Sequence, residues 1–353
     1  MKFTPRAAVL SGKSLALSLL LLTVSSVQAK PETASVSFSH KDWDLICDNT
    51  LTCRAAGYSA DNADPAATVL LTRKAGPATP IDNKVMLADY DGQTAEKAPG
   101  APQLLIADQS LGQLMHVDGD AWQMTPSQFA AFIKALRQDS RIVFKDTAND
   151  YVFSSAGSSA VLLKMDDVQG RVGTKGALIK KGDKDESGVK APVPVPVIVK
   201  SPVTDKTARN MTPAEAALIR PALLKLISQS ESDCDEERLA DAWQIAALNQ
   251  TKSLVMIPCW MAAYNGGDLY FVVDKDMKTS PELISDSANS YEEGVIGFAM
   301  KGRGLGDCWT NEEWVWNGQR FVQSLISNTG RCRLIRPGGA WDMIELRTSV
   351  QTQ

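Results

Sequence analysis

Histidine is almost missing from this chain: His40 and His116 are the only two in 353 residues. A Ser-His-Asp or Cys-His machine needs an imidazole beside its nucleophile to take the proton. His40 follows a polar start, and His116 alternates in Leu114-Met115-His116-Val117 as a strand residue does, so neither reads as a base. A surplus of basic residues is missing too, with a formal net charge of −4. Without clustered Lys and Arg, non-specific nucleic-acid and anionic-lipid binding are excluded. Long apolar runs are also scarce. Leu15 to Val24 is one run of ten, and no other segment nears the roughly 20 residues of a membrane helix.

That run follows Lys2, Arg6 and Lys13 and precedes Ser25-Ser26-Val27-Gln28-Ala29. A basic start, a short apolar stretch and a small-residue Val-x-Ala end are the parts of a secretory signal peptide, cleaved after Ala29. The expected mature chain is exported, has 324 residues and a charge near −7, and carries no transmembrane segment.

All six cysteines fall in this mature part: Cys47, Cys53, Cys234, Cys259, Cys308 and Cys332. An even count in an oxidising compartment reads as three disulfides, with 15 connectivities open. The cysteines lie in three local pairs separated by long gaps, which favours sequential pairing. Each such loop stabilises by roughly 2–3.5 kcal/mol in the chain-entropy account. No C-x2-C spacing occurs, so neither a metal nor a cofactor is expected.

The segment 182–211 runs from mixed charge into alternating Pro-Val, with Pro192, Pro194 and Pro196. Each Pro fixes its own φ and extends its predecessor, giving a stiff polyproline-like join. It divides the chain into an N-terminal β-rich domain, 30–181, and a C-terminal disulfide-containing β-rich domain, 212–353. The fold class is mainly β with a few helices. Cys47 and Cys53 staple a hairpin around Asp48-Asn49-Thr50. Thr125-Pro126-Ser127-Gln128 caps a helix with Phe129, Phe132, Ile133 and Leu136 on one face. A second helix starts at Ser158 and stops at Gly170, before a strand from Thr174 to Lys180. Thr212-Pro213-Ala214-Glu215 opens a third, which Pro221 should kink or split. In the second half, Asn317-Gly318 predicts a two-residue type I′ hairpin.

Two blocks carry a family resemblance. Lys41-Asp42-Trp43-Asp44-Leu45-Ile46-Cys47-Asp48-Asn49-Thr50-Leu51-Thr52-Cys53-Arg54-Ala55 and 158–174 (SSAVLLKMDDVQGRVGT) resemble a secreted proteobacterial family of unknown function, domain 1176. That family in turn resembles the invasion-associated locus B proteins, a likeness that falls on the N-terminal domain. The resemblance implies a periplasmic protein of mainly β architecture with no established catalytic residues.

The chemistry on offer is sparse. Asp183-x-Asp185 and Asp274-x-Asp276 start as calcium loops do but lack the remaining ligands. Gly302-Arg303-Gly304-Leu305-Gly306 leads into Asp307-Cys308 and not into a helix, so it holds no phosphate. Glycan-cleaving enzymes need two carboxylates roughly 5–10 Å apart. Among the acidic pairs, Asp166 and Asp167 beside Gln169 and Arg171 are the catalytic candidates; their structural reading is an ion pair in which Arg171 holds the helix end. Trp309, Trp314, Trp316 and Trp341 crowd the C-terminal end, with Trp243 and Trp260 nearby. Flat aromatics stack on sugar rings and anchor partners, so these four and Arg171 are the binding candidates, weighed against a core role. The expectation is a non-catalytic envelope protein binding a protein partner or cell-wall glycan. The alternatives are a carboxylate enzyme on peptidoglycan, or a stapled inhibitor of a lytic enzyme.

Overall fold

A computed structural model describes residues 35–88, 100–117, 119–230 and 232–352. The signal segment lies outside them. Among the described residues, strands dominate and four helices occur. The three disulfides pair sequentially: Cys47–Cys53, Cys234–Cys259 and Cys308–Cys332.

The N-terminal part centres on an antiparallel sheet ordered Val36–His40, Trp43–Cys47, Cys53–Tyr58, Ala67–Arg73, Ile81–Leu87, Trp122–Gln123 and Met115–His116. Alternation along its strands serves two cores. Trp43, Leu45, Ala55, Val69, Leu71 and Val85 face the helices Pro126–Gln138 and Ser158–Val168. Ile46, Ala56, Tyr58 and Met86 face the other way, against Ile335, Ala340, Trp341 and Met343.

That second core is shared with the end of the chain, and Thr33 to Gln353 forms one compact unit. The Pro-Val segment is correspondingly not a free spacer. Its backbone is held by Gly76 N to Lys190 O at 2.8 Å and Val193 N to Thr50 O at 3.2 Å. The strand Val197–Lys200 then pairs in parallel with Ser349–Thr352. Prolines remove donors, but the carbonyls and the remaining amides of an extended chain still bond laterally.

The C-terminal part is a sandwich. One sheet comprises Arg209–Asn210, Gln244–Ala247, Lys252–Met261, Gly266–Asp274 and Glu282–Ala288. Val255, Ile257, Leu269 and Phe271 lie under the helix Pro213–Ile227, whereas Leu254, Met256, Tyr270 and Val272 meet the second sheet. The second sheet comprises Ser290–Glu292, Val295–Lys301, Trp309–Trp316, Phe321–Asn328 and Met343–Arg347.

Three local expectations change. Residues 175–180 form turns, because Asp166 takes the Leu178 and Ile179 amides that a strand would have needed. Of the two outcomes expected at Pro221 the split does not occur, since the helix is continuous from Pro213 to Ile227; Pro221 lies on its exposed side. The Asn317-Gly318 connection spans four residues, since Trp316 pairs with Phe321. Only Gly318 has positive φ there, and Asn317 Oδ1 accepts the Gln319 and Arg320 amides at 3.0 and 2.9 Å.

Candidate functional site

The predicted acidic pair separates. Successive helical residues point about 100° apart, so Asp166 is enclosed while Asp167 is exposed and pairs with Lys164 at 2.9 Å. Asp166 Oδ2 accepts from Leu178 N at 2.7 Å and Ile179 N at 3.1 Å, and Oδ1 lies 3.8 Å from Arg73 Nη1. Burial pushes its carboxyl up, against the pull of those amides and guanidiniums. Arg171, 0% exposed, pairs with neither aspartate. Its guanidinium donates to Gln169, Gly76 O and Thr79 Oγ1 at 2.9, 2.6 and 2.7 Å, and meets Glu186 at 3.2 Å. This network pins the 170–190 segment and shows no ligand a free face.

Two of the four tryptophans are also enclosed. Trp316 is 0% exposed and packs on Phe321, with ring centres 5.3 Å apart. Trp341, 5% exposed, donates Nε1 to Thr68 Oγ1 at 2.9 Å in the shared core. Trp314 is half-buried at the edge of the inter-sheet core.

Trp309 lines an open cleft, of about 450 Å³, between the two C-terminal sheets, whereas Trp341 reaches a different cleft, described below. The opposite wall is the tip of the hairpin joining Lys252–Met261 to Gly266–Asp274. Met261 pairs with Gly266, and Ala262 N donates to Asn265 O at 2.7 Å, closing a four-residue loop that presents Tyr264. Gly267 has to be glycine: a Cβ there would stand 2.5 Å from Trp260 Nε1, so its absence lets the indole cross the backbone. Asn265 then ties the tip down, bonding the Lys301 amide and carbonyl at 2.9 Å each. Asn289 repeats the device on Ala299, at 2.8 and 3.2 Å. On the far wall Trp309 Nε1 donates to Gly306 O at 2.9 Å, and Lys301 Nζ lies 5.4 Å from its ring centre.

Between these aromatics sits Asp268. Burial pushes its carboxyl up, with Arg238 opposing. Among the described residues no group hydrogen-bonds to the Asp268 carboxylate, Trp260 Nε1 or the Tyr264 hydroxyl, and Arg238 Nε is buried without a partner. Of these only Arg238 Nε is both buried and unsatisfied, which is uncommon; Tyr264 is 48% exposed and Asp268 half-buried, so their polar atoms stand open at the cleft.

A larger cleft of about 520 Å³ lies between the N-terminal sheet and residues 329–344. Much of its charge is already paired: Arg54 with Asp48 at 2.9 Å, Arg336 with Asp120 at 3.3 Å, and Asp82 with Gln123 at 3.0 Å. Asp307, Cys308 and Cys332 gather within reach of one ion. The two sulfurs bond each other and Asp307 accepts from Arg303 and Leu334 N, so no metal ligands remain there.

A family model described as "Protein of unknown function (DUF1176)" matches residues 37–346, the cleft included. The chain belongs to this family. It is 28% identical over 329 residues to the "Uncharacterized protein YpfG" of Escherichia coli (strain K12), covering 85% of this chain and 89% of that one. No solved structure matches. Among the described residues, no helix is long and apolar enough to cross a membrane. Sequence reasoning missed Tyr264 and Asp268 and gave Trp260 no role. The available signal was aromatic residues flanking Asn265-Gly266-Gly267.

Proposed function

We propose that this chain is an exported, non-catalytic protein of the cell envelope that binds cell-wall glycan in the cleft of Trp260, Tyr264 and Trp309. The observation carrying this reading is the combination of aromatic faces with unclaimed polar groups at Trp260 Nε1, Tyr264 and Asp268. A sugar ring offers the complement, with apolar C–H faces to stack and hydroxyls to bond. Asp268 is the one carboxylate lining the cleft, whereas glycan cleavage in its usual form needs two. The leader-like start at 1–29 supports a periplasmic address.

The test is co-sedimentation of the mature, oxidised protein with purified peptidoglycan sacculi, with mass spectrometry of the supernatant. The wild type should pellet, and Trp260→Ala and Tyr264→Ala should each weaken binding at least tenfold at unchanged circular dichroism. Muropeptides in the supernatant would overturn the non-catalytic assignment. Failure to pellet would overturn the glycan assignment and turn the search to a protein partner.

A further inference from the structure

The cleft, if it holds a wall polymer as proposed above, does so around a carboxylate to which no described residue donates a hydrogen bond. Asp268 stands opposite Pro258 on one neighbouring strand and Ala288 on the other, and neither supplies a donor side chain. The charged groups near it make no hydrogen bond to it, and Arg238, whose Nε has no partner, pulls on it only electrostatically. Arg238, from the helix Glu236–Ala240, gives Nη1 to Asp241 at 2.6 Å. Lys301 lays its ammonium against Trp309. The side-chain amides of Asn265 and Asn289 are spent on the backbone of the strand Val295–Lys301.

What remains is a half-buried carboxylate set among indole and phenol faces. That is the pairing that recognises an ammonium: the π faces attract the cation and the carboxylate neutralises it through a charge-assisted hydrogen bond. Lys301 shows the preference within the chain itself, resting its ammonium on the very indole that lines the cleft. Met261, 60% exposed at the cleft mouth, offers an apolar surface for a hydrocarbon stem.

We infer that the cleft selects a primary ammonium carried by the wall polymer, with Asp268 as its counter-ion, and not a neutral sugar alone. The chemistry is shared by the side-chain amine of a wall peptide and by a de-acetylated amino sugar.

The experiment compares sacculi with free amines against sacculi whose amines have been acetylated with acetic anhydride, for wild type and Asp268→Asn. The wild type should bind acetylated sacculi about tenfold more weakly. Asp268→Asn should bind native sacculi as weakly as that and be indifferent to acetylation; its thermal melt reports that it is folded. Displacement by lysinamide assigns the amine to a peptide, and displacement by glucosamine assigns it to a sugar. Equal wild-type binding to both kinds of sacculi overturns the ammonium inference and leaves the glycan reading standing. So does a loss in Asp268→Asn without any acetylation effect, which would make the carboxylate an acceptor for hydroxyls. Binding to neither kind ends both.

Discussion

Arg331 donates through Nε and Nη2 to the two carboxylate oxygens of Asp44, at 2.7 Å each, across 287 residues of chain. The same residue's amide donates to the Tyr58 hydroxyl at 3.2 Å, and its guanidinium lies 5.7 Å from the Tyr58 ring centre. A bidentate, half-buried fork of this kind fixes orientation as well as adding energy. Trp341 continues the same seam by burying its indole against Thr68. The protein should therefore unfold as one cooperative unit. Trp341→Ala is expected to cost about 3–5 kcal/mol and to lower a single calorimetric transition. Two resolved transitions in the wild type would contradict a shared core.

Asp166 and Asp167 are neighbours with opposite expected behaviour. Asp166→Ala strips the acceptor from two buried amides and removes the buried carboxylate beside Arg73, which keeps only Glu186 at 3.9 Å, at an expected cost of about 3–5 kcal/mol. Asp167→Ala removes an exposed helix pair and should stay within about 0.5 kcal/mol. Urea denaturation of both variants decides; equal effects would return the pair to consideration as a functional unit.

At Asp268 the pH dependence has a defined sign. A carboxyl whose pKa is raised on folding binds more protons folded than unfolded, so its contribution to stability falls as pH rises from the ordinary carboxylate value through the raised one. Asp268→Asn should consequently be as stable as wild type or more so at pH 7, with the difference closing near pH 3. Denaturation midpoints at the two values measure it. A less stable variant at pH 7 would reveal a stabilising partner for the carboxylate.

Glu215 runs the other way. Arg209 forks onto it at 2.7 and 2.9 Å and Thr212 N donates at 2.8 Å, pulling its carboxyl down to about 2, the Arg209 bond first. Stability from this cap is present above the usual glutamate range and is lost as pH falls toward about 2. The group is largely exposed, so Glu215→Gln should cost no more than about 1 kcal/mol at pH 7. The gap between wild type and variant, followed by helical circular dichroism, should narrow on acidification; a gap that widens would refute the cap.

Local signals were the legible ones. Six-residue cysteine spacing, the Thr125 and Thr212 caps and the 3.6-residue stripe of the helix Pro126–Gln138 are all written within a few positions, and each appears in the structure. Partners set by distant chain were not legible. Trp341 reads as an aromatic near a Gly-Gly turn, and nothing beside it announces Thr68. Val193 and Lys190 read as spacer, because the carbonyl and amide that hold them belong to Thr50 and Gly76. The cleft was half visible: Trp309 stood in the tryptophan cluster, but Asp268 became interesting only once its lack of a partner was known.

The order in which the N-terminal sheet is completed follows from the seam. Ile46, Ala56 and Tyr58 are made early, and the residues that cover them, Ile335, Ala340 and Trp341, are made last. A chain emerging from its N-terminus keeps that apolar face bare until nearly the whole length is out. A copy truncated before Ile335 is therefore not a shorter version of the same protein but an unfinished sheet, open to proteases and to pairing with its own kind.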